Sequence, residues 1–257
     1  MKTIAVLIHT KVILNNFITS GALDELSKNF KCIFIAPESF RDSLDSQSYF
    51  YSADVQEREV FSTIRFHLDF LSMNRYKHRS STFQLKYSSL YFKDLSFLKK
   101  LLASVLSMPL IYEIIARFYE FFCGYEKKFL NLLTDAKPDL IIIPSGFNDW
   151  TSISFLKSSK KLNITSFMIM ANWDNVASKG VLRILPDHIG VWGEQTKLQA
   201  MTIHSIPEEN IHVLGSPQFD GHYFPDKFDR EYFASHNNFD INFKYFLFLG
   251  TARSRDE

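Results

Sequence analysis

The stretch from residue 164 to residue 217 constrains the fold most, because apolar runs alternate in it with polar loops and one helical segment. Residues 164–171 form a nearly unbroken apolar run, as is typical of a strand covered on both faces. Runs at 188–192 and 211–214 indicate two further strands. The segment between them, 195–205, has helical spacing, with Leu198, Met201 and Thr202 on one side. Alternating strands and helices predict a parallel sheet with right-handed crossovers.

Polar side chains follow these strands directly. Asn172-Trp173-Asp174-Asn175 comes after the first run, and Gly193-Glu194 closes the second. Because ligands of open parallel sheets bind beyond the carboxyl ends of the strands, these segments are the first candidates for a site. A polar triplet around a tryptophan has no simple packing explanation, so Asp174 with Asn172 and Asn175 ranks highest.

The same pattern extends upstream. Apolar runs at 4–8, 32–36 and 140–143 predict strands, and the first ends at His9. We expect the first helix to start at Asn15 or Asn16, and residues 39–60 to be irregular. Pro144-Ser145-Gly146 ends the third of these strands, and Asn148 or Asp149 is placed to cap the helix that follows. The opening unit lacks G-x-G-x-x-G, which argues against a dinucleotide site.

Residues 60–74 and 94–133 have helical patterns, the second with a predicted break near Pro109 into two helices. Two apolar faces recur in the longer region: Leu98, Leu101, Leu102 and Val105, then Ile111, Ile114, Ile115, Phe118 and Phe122. The favoured interpretation is a helical pair packed against the sheet. The alternative is a basic, aromatic-rich surface helix at a membrane interface. Likewise, the basic run 75–79 is interpreted as a solvated loop, with contact to a phosphate or anionic headgroup as the alternative.

Composition and simple sequence patterns argue against several classes of protein. The chain of 257 residues is 46% apolar and 22% charged, which predicts a folded core. A net charge of +1 gives no support for nucleic acid as a partner. No window is long and apolar enough to predict a transmembrane helix, and the first residues fit a strand better than a signal peptide. Cys32 and Cys123 are interpreted as reduced core residues, and the eight histidines form no metal motif.

The sequence pattern predicts how the chain is divided. Residues 1–217 are expected to form a Rossmann-like domain with a helical insertion at about 60–134. Residues 218–243 are expected to form an interdomain linker. The apolar run 245–249 and the basic loop after it predict that 244–257 begins a second α/β domain, at whose start the sequence is truncated.

Several motifs together resemble the end of the N-terminal domain of GT-B glycosyltransferases. They are W-G-E at 192–194, I-H-V-L-G-S-P at 211–217 with Asp220 three residues later, N-W-D-N-x-x-S-K-G at 172–180, and F-L-F-L-G-T-A-R at 246–253. The resemblance is to bacterial surface-polysaccharide enzymes near the CDP-glycerol glycerophosphotransferases and the UDP-N-acetylglucosamine 2-epimerase-like group. It covers roughly the C-terminal half of the chain, and over residues 1–135 it concerns only the order of elements.

The resemblance implies transfer of a sugar or sugar-alcohol phosphate from a UDP-, CMP- or CDP-linked donor to a glycan or lipid-linked acceptor. The first domain would hold the acceptor and the second the donor, so the fragment alone is expected to be inactive. No bound metal or cofactor is expected, since basic side chains and helix N-termini face the diphosphate in this fold. The expected location is the cytoplasm, with peripheral contact with the inner face of the plasma membrane and no nucleic-acid partner.

Glycosyl transfer needs a proton acceptor, positive charge for the leaving group and a platform for sugars. The first role falls to His9, Asp149, Asp174 and Glu194. The second falls to the donor-binding candidates Thr251, Arg253 and Arg255. Acceptor binding is assigned to Asn172, Trp173, Asn175, Ser178, Lys179, Ser145 and Asn148, and Trp150 is a second stacking candidate.

Simpler roles stay open for some of these residues. Asp149 could only cap a helix, Glu194 could only favour a first turn, and His9 could be a satisfied histidine at the edge of the core. Lys179 and Arg183 could form a solvated face or neutralise an acceptor phosphate.

Two other functions also stay open. A non-hydrolysing sugar-nucleotide epimerase of the same architecture would need no separate acceptor. A non-catalytic α/β binding module would turn over no donor at all.

Overall fold

The structure of the chain is a computed structural model that describes residues 1–44, 49–145, 147–219 and 230–242, together with 244 and 246. The chain divides into two units, Met1–Gln218 and Phe219–Glu257. In the second unit the described part contains helix α11 (Arg230–His236). Of the predicted linker, the structure describes residues 218–219 and 230–242, and of the predicted second-domain strand 245–249 it describes only 246. The division into linker and second domain stays a prediction.

The first unit is built on a parallel sheet, as predicted. Within the described residues the sheet has seven strands in the order β3-β2-β1-β4-β5-β6-β7. The strands are β1 (Thr3–Leu7), β2 (Lys31–Ala36), β3 (Tyr49–Ser52), β4 (Leu140–Ser145), β5 (Thr165–Met170), β6 (His188–Val191) and β7 (Ile211–Val213). Every pairing is parallel. The chain therefore moves outward from β1 in one direction, returns at β4 beside β1, and continues in the other.

The pleat of the strands sorts the core into two layers, because successive side chains point to opposite faces. Ala5, Leu7 and Ile141 pack in one layer with Phe129 and Phe155, which come from two helices. The other layer contains side chains of alternating position on the same strands, such as Val6 and Phe34. Burial on both faces explains why β1, β2 and β4 read as continuous apolar runs.

The helices of the first unit are α1 (Lys11–Leu14, continued by a π-turn at Asn15–Thr19), α2 (Asp24–Asn29), α3 (Glu59–Arg75), α4 (Ser81–Lys86, continued by a π-turn at Tyr87–Phe92), α5 (Phe97–Leu106), α6 (Pro109–Cys123), α7 (Lys127–Ala136), α8 (Trp150–Lys161), α9 (Asn175–Ser178) and α10 (Glu194–His204). The predicted start of α1 at Asn15 or Asn16 is wrong. Thr10 is the N-cap, and its side chain accepts a hydrogen bond from the Ile13 amide.

Two further predictions need correction. The region 39–60 contains strand β3, which lies at the edge of the sheet. The segment 94–133 forms three helices, because Gly124, which has a φ of +66°, ends α6 before α7 begins. Helix α7 then returns the chain to β4, and its Phe129 and Leu133 pack in the sheet core.

The favoured packing of the long helices is also wrong in part. Leu98, Leu101, Leu102, Phe118 and Phe122 are exposed, although α5 and α6 bury their opposite sides. In the described part of the chain no single helix has the length and hydropathy to span a membrane. Helices α5 and α6 meet those criteria only when taken together, and an 82° bend separates them.

Candidate functional site

The candidate site lies where the strand order changes direction. Strands β1 and β4 are neighbours, but they lead into connections on opposite sides, so a crevice forms beyond their carboxyl ends. His9 follows β1, and Asp149 follows β4. Their side chains meet there, with His9 Nε2 3.1 Å from Asp149 Oδ1. Two of the predicted catalytic residues are thus in direct contact.

Asp149 has two roles in this geometry. It is the N-cap of α8, and its Oδ1 accepts a hydrogen bond of 2.8 Å from the Ser152 amide. Burial raises the pKa of the Asp149 carboxyl, but the bonds and charge from His9 and the bonds from Ser152 outweigh it. The pKa therefore lies below its ordinary value, so the carboxylate stays ionised. Its side chain is 34% exposed and that of His9 is 10% exposed, so the dyad borders solvent.

The turn that precedes Asp149 is held by hydrogen bonds to the Ser145 side chain. The Ser145 hydroxyl accepts from the Phe147 amide at 3.0 Å and lies 3.2 Å from Asp149 Oδ2. Phe147 is fully buried and has a φ of 116°, a left-handed conformation that bulky residues rarely adopt. Such strain persists only where the surroundings enforce it, and it concentrates at functional sites. Ser145, a predicted acceptor ligand, is buried and holds this turn.

Asn148 connects the turn to the helical layer. It is buried, and its Nδ2 donates to Asp69 Oδ1 and to the Val181 carbonyl, both at 3.1 Å. Asp69, on α3, also pairs with Arg183, whose Nε lies 2.7 Å from Glu120 Oε1. Lys157 of α8 completes the network at 2.5 Å from Glu120 Oε2.

Arg183 lies at the centre of this network, and its side chain is 4% exposed. Burial lowers the pKa of Arg183, but the carboxylates of Asp69 and Glu120 outweigh it and raise that pKa above its ordinary value. The interpretations of Arg183 as a solvated side chain or a phosphate ligand are therefore wrong. Arg183 joins α3 and α6 to the segment after β5.

The 172–180 segment forms a closed loop after β5. Asp174 Oδ2 accepts from the Ser178 hydroxyl at 2.8 Å, and Asn175 is buried, whereas Asn172, Trp173 and Lys179 are exposed. Trp173, at 61% exposure, is available as a stacking surface, but Trp150 is buried among α3 and α6 side chains.

Gly180 ends the loop against α3. Its φ is +94°, and a β-carbon there would lie 2.9 Å from Ser72 Oγ and 3.2 Å from the Asp69 carbonyl oxygen. Glycine is thus required where this loop packs most closely on the helix.

His204 of α10 holds the same loop from the other side. Its Nδ1 accepts from the Leu182 amide at 3.2 Å, and its Nε2 lies 2.7 Å from the Val176 carbonyl. Its ring packs on Phe147, at 5.1 Å between centroids. Burial lowers the pKa of His204 to about 4, so the ring is neutral. Sequence reasoning did not single out this histidine, because a lone histidine near the end of a helix carries no signal for a partner 28 residues away.

We expect His204 to make the free energy of unfolding depend on pH. The unfolded chain binds this proton below about pH 6.5, whereas the folded chain does so only near pH 4. The stabilisation of the folded state by neutral His204 is therefore complete above pH 6.5. It decreases as pH falls, and at pH 5 the free energy of unfolding is about 2 kcal/mol lower than at neutral pH. Urea unfolding at several pH values should show this slope, and His204→Gln should flatten it. His78→Gln, at an exposed histidine, is the matched control. Equal slopes in all three proteins would contradict the assignment.

A small cavity of about 110 Å³ adjoins the dyad and is lined by His9, Pro37, Asp54, Gln56 and Thr151, among others. Asp54 and Gln56 follow β3, so they were missed together with that strand. The aromatic run Tyr49-Phe50-Tyr51 was the available signal, because such residues favour strands. Larger cavities, of about 440 and 450 Å³, lie at the opposite edge of the sheet. The dyad and the change in strand order between β1 and β4 favour the carboxyl edge as the site.

The remaining predicted residues are distributed along this edge. Glu194 is exposed in the first turn of α10, after β6, and no bond joins it to the dyad among the described contacts. The strands that precede His9, Asp149, Asp174 and Glu194 are consecutive in the sheet. Thr251, Arg253, Arg255 and Asp220 lie outside the described residues. The segment after β7 returns along the edge, where Asn16 Nδ2 lies 3.4 Å from Gln218 Oε1.

Several buried polar atoms at this edge have no hydrogen-bond partner among the described residues. They include His9 Nδ1, Asn148 Oδ1 and both side-chain polar atoms of Asn175. Similar atoms occur in the helical layer, for example Tyr87 Oη and Arg75 Nε, so these atoms do not by themselves mark a ligand site. Within the described ranges, no group of three or more His, Cys, Asp or Glu side chains could hold a metal ion.

The likeness of this chain to known proteins is one of structure. No family model matches the chain, and no curated protein matches it. Among solved structures, S. aureus MnaA in a structure with UDP is similar over 88% of this chain, with 12% identity and a TM-score of 0.44. The chain spans 47% of that protein. The fold assignment itself rests on the sheet topology described above.

Proposed function

We propose that this chain is the acceptor-side domain of a GT-B glycosyltransferase that uses a nucleotide-activated donor in cell-surface polysaccharide synthesis. The proposal combines the motif resemblance with the position of the site. The transferred group is a sugar or a sugar-alcohol phosphate, and the acceptor is a glycan or a lipid-linked glycan. The enzyme works in the cytoplasm, where nucleotide-activated donors are made.

The His9–Asp149 dyad is the observation that carries the proposal. It joins the ends of β1 and β4, the two neighbouring strands at which the strand order changes direction, and it borders a polar crevice. A role as helix N-cap would by itself explain why an aspartate stands at position 149. It would not explain why His9 contacts the same carboxylate. A histidine N–H at one carboxylate oxygen orients the carboxylate and, for Asp149, helps to keep it ionised, as a carboxylate that acts as a general base requires.

The dyad supports a defined step. The Nε2–H of His9 donates to Asp149 and orients its carboxylate, and the Asp149 side chain is 34% exposed, whereas His9 Nδ1 is buried. The Asp149 carboxylate therefore takes the proton of the acceptor hydroxyl as the hydroxyl oxygen bonds to the donor carbon or phosphorus. The bond to the nucleotide breaks in the same step, and the nucleotide leaves with the electron pair. In this proposal Trp173 stacks on the acceptor, and Thr251, Arg253 and Arg255 face the leaving phosphate.

A ligand screen tests the substrate class. We expect the full-length gene product to be stabilised by a UDP-, CMP- or CDP-linked donor, because a ligand that binds only the folded state raises the free energy of unfolding. A donor at about 100 times its Kd should add about 2.7 kcal/mol, a rise of several degrees in Tm. Mannose 6-phosphate, a sugar phosphate without a nucleotide, is the control.

The arms of this screen separate the alternatives. Release of nucleotide that needs an added glycan supports the transferase. Isomerisation of the donor without an acceptor would assign an epimerase instead, and binding without turnover would assign a binding module. No stabilisation by any nucleotide would contradict the proposed class as a whole.

A further inference from the structure

The outer surface of α5 and α6 is apolar to an unusual degree. On α5, Phe97 and Leu98 are 78% and 75% exposed, and Leu101 and Leu102 follow one turn later on the same side. The opposite side of α5 buries Ala103. The helix therefore turns its largest apolar side chains outward, which reverses the arrangement expected of a helix on a soluble core.

Helix α6 repeats this arrangement. Its buried side contains Tyr112, Ala116, Tyr119 and Cys123, which pack on α3 and α8 residues. Its outer side carries apolar residues at helical spacing, namely Leu110, Ile114, Phe118, Phe121 and Phe122. Phe118 stacks on Phe122, and Phe121 meets Phe122 edge to face. We call the outward apolar residues of α5 and α6 the apolar face. Contiguous exposed surface of this kind marks an interaction site.

Charge on the two helices is asymmetric. The acidic residues of α6 are neutralised by partners: Glu113, at 42% exposure, pairs with Arg75, and the largely buried Glu120 belongs to the Arg183 network. Lys99 and Arg117 are exposed, and neither pairs with a carboxylate among the described residues. The neighbouring sequence continues this bias. From residue 93 to 128 the exposed charged residues are Lys93, Asp94, Lys99, Arg117, Lys127 and Lys128.

We propose that the apolar face docks on the surface of an anionic lipid bilayer. Its phenylalanine and leucine side chains would enter the boundary between headgroups and acyl chains, and Lys99 and Arg117 would contact lipid phosphates. Charge complementarity selects this occupant, because Lys99 and Arg117 border the apolar residues, whereas Glu113 and Glu120 are each paired with a cation. The 82° bend between α5 and α6 lays two short helices along a surface, since neither is long enough to cross a bilayer. The proposal is independent of the proposed catalytic function.

Vesicle sedimentation tests the proposal. We expect the protein to sediment with vesicles of equal parts phosphatidylcholine and phosphatidylglycerol, and less with phosphatidylcholine alone. Leu98→Ser with Phe121→Ser should weaken binding by at least about tenfold. Lys99→Gln with Arg117→Gln should weaken binding to the anionic vesicles by about fivefold for each charge, and salt should have the same effect.

A matched control uses Val12→Ser with Leu198→Ser, since both residues are exposed to 58% but lie on α1 and α10. This variant should bind like the wild type. All the changed side chains are exposed, so circular dichroism and Tm should stay constant in every variant. Binding that survives Leu98→Ser with Phe121→Ser would overturn the proposal. A monomeric wild type that binds neither kind of vesicle would also overturn it. A wild-type dimer that Leu98→Ser with Phe121→Ser dissociates would overturn it too, and would assign the apolar face to a second copy of the chain.

Discussion

Arg183→Met is expected to lower the free energy of unfolding by about 3–5 kcal/mol. The substitution leaves the Asp69 carboxylate without its paired cation and leaves Glu120 with Lys157 alone, and each of the two acidic side chains is only 15% exposed. An uncompensated buried charge costs far more than a broken surface pair. Urea unfolding at pH 7 measures the difference.

Lys28→Met is the control for Arg183→Met, because Lys28 also pairs with a carboxylate, Glu25, but both side chains are at least 70% exposed. Its stability should stay close to that of the wild type. Asp69→Asn combined with Arg183→Met should lower the free energy of unfolding by less than the sum of the two single changes. The reason is that Asp69→Asn removes the carboxylate that Arg183→Met leaves unpaired. If Arg183→Met costs no more than Lys28→Met, the network does not hold the helical layer to the site.

The network also shows what the sequence could not reveal. Arg183, Asp69 and Glu120 lie far apart in the chain, and each reads as an ordinary surface charge. Their burial depends on how α3 and α6 pack over the loop after β5, which no local pattern encodes. Hydrophobic spacing predicted that residues 94–133 are helical with a break near Pro109, but spacing does not tell which side of a helix is covered.

The sheet could be predicted because its signal is local. Strands covered on both faces read as apolar runs, and runs that alternate with helices must be parallel. Strand β3 was not predicted, because it is a four-residue edge strand in which Tyr49 and Tyr51 face outward. The individual site residues could be predicted because they follow the ends of predicted strands. The contact between His9 and Asp149 could not be predicted, because it depends on β4 lying beside β1 in the sheet.

The second large effect is expected at this contact. Asp149→Asn should reduce turnover of the full-length enzyme by about 10²–10⁴-fold, the usual contribution of a general base and the group that orients it. Asparagine caps helices about as well as aspartate, so α8 should stay intact. Its amide, however, cannot take up the proton of the acceptor hydroxyl. His9→Gln should cost a similar factor, and the double variant little more, because the two residues act as a unit.

The matched control for Asp149→Asn is Asp135→Asn, which removes an exposed carboxylate on α7 and should leave turnover unchanged. Donor binding should stay within a few-fold of the wild type in all these variants, since the proton acceptor is not the group that holds the nucleotide. That separation distinguishes a lost chemical step from a lost fold or a lost substrate.

The most direct measurement is therefore nucleotide release by folded Asp149→Asn protein that still binds its donor. The central claim is that chemistry takes place where β1 and β4 end side by side. It predicts near-complete loss of acceptor-dependent release, with Tm and donor affinity preserved. Release at the wild-type rate from Asp149→Asn and His9→Gln would contradict it and reduce the dyad to a helix cap with a neighbouring histidine.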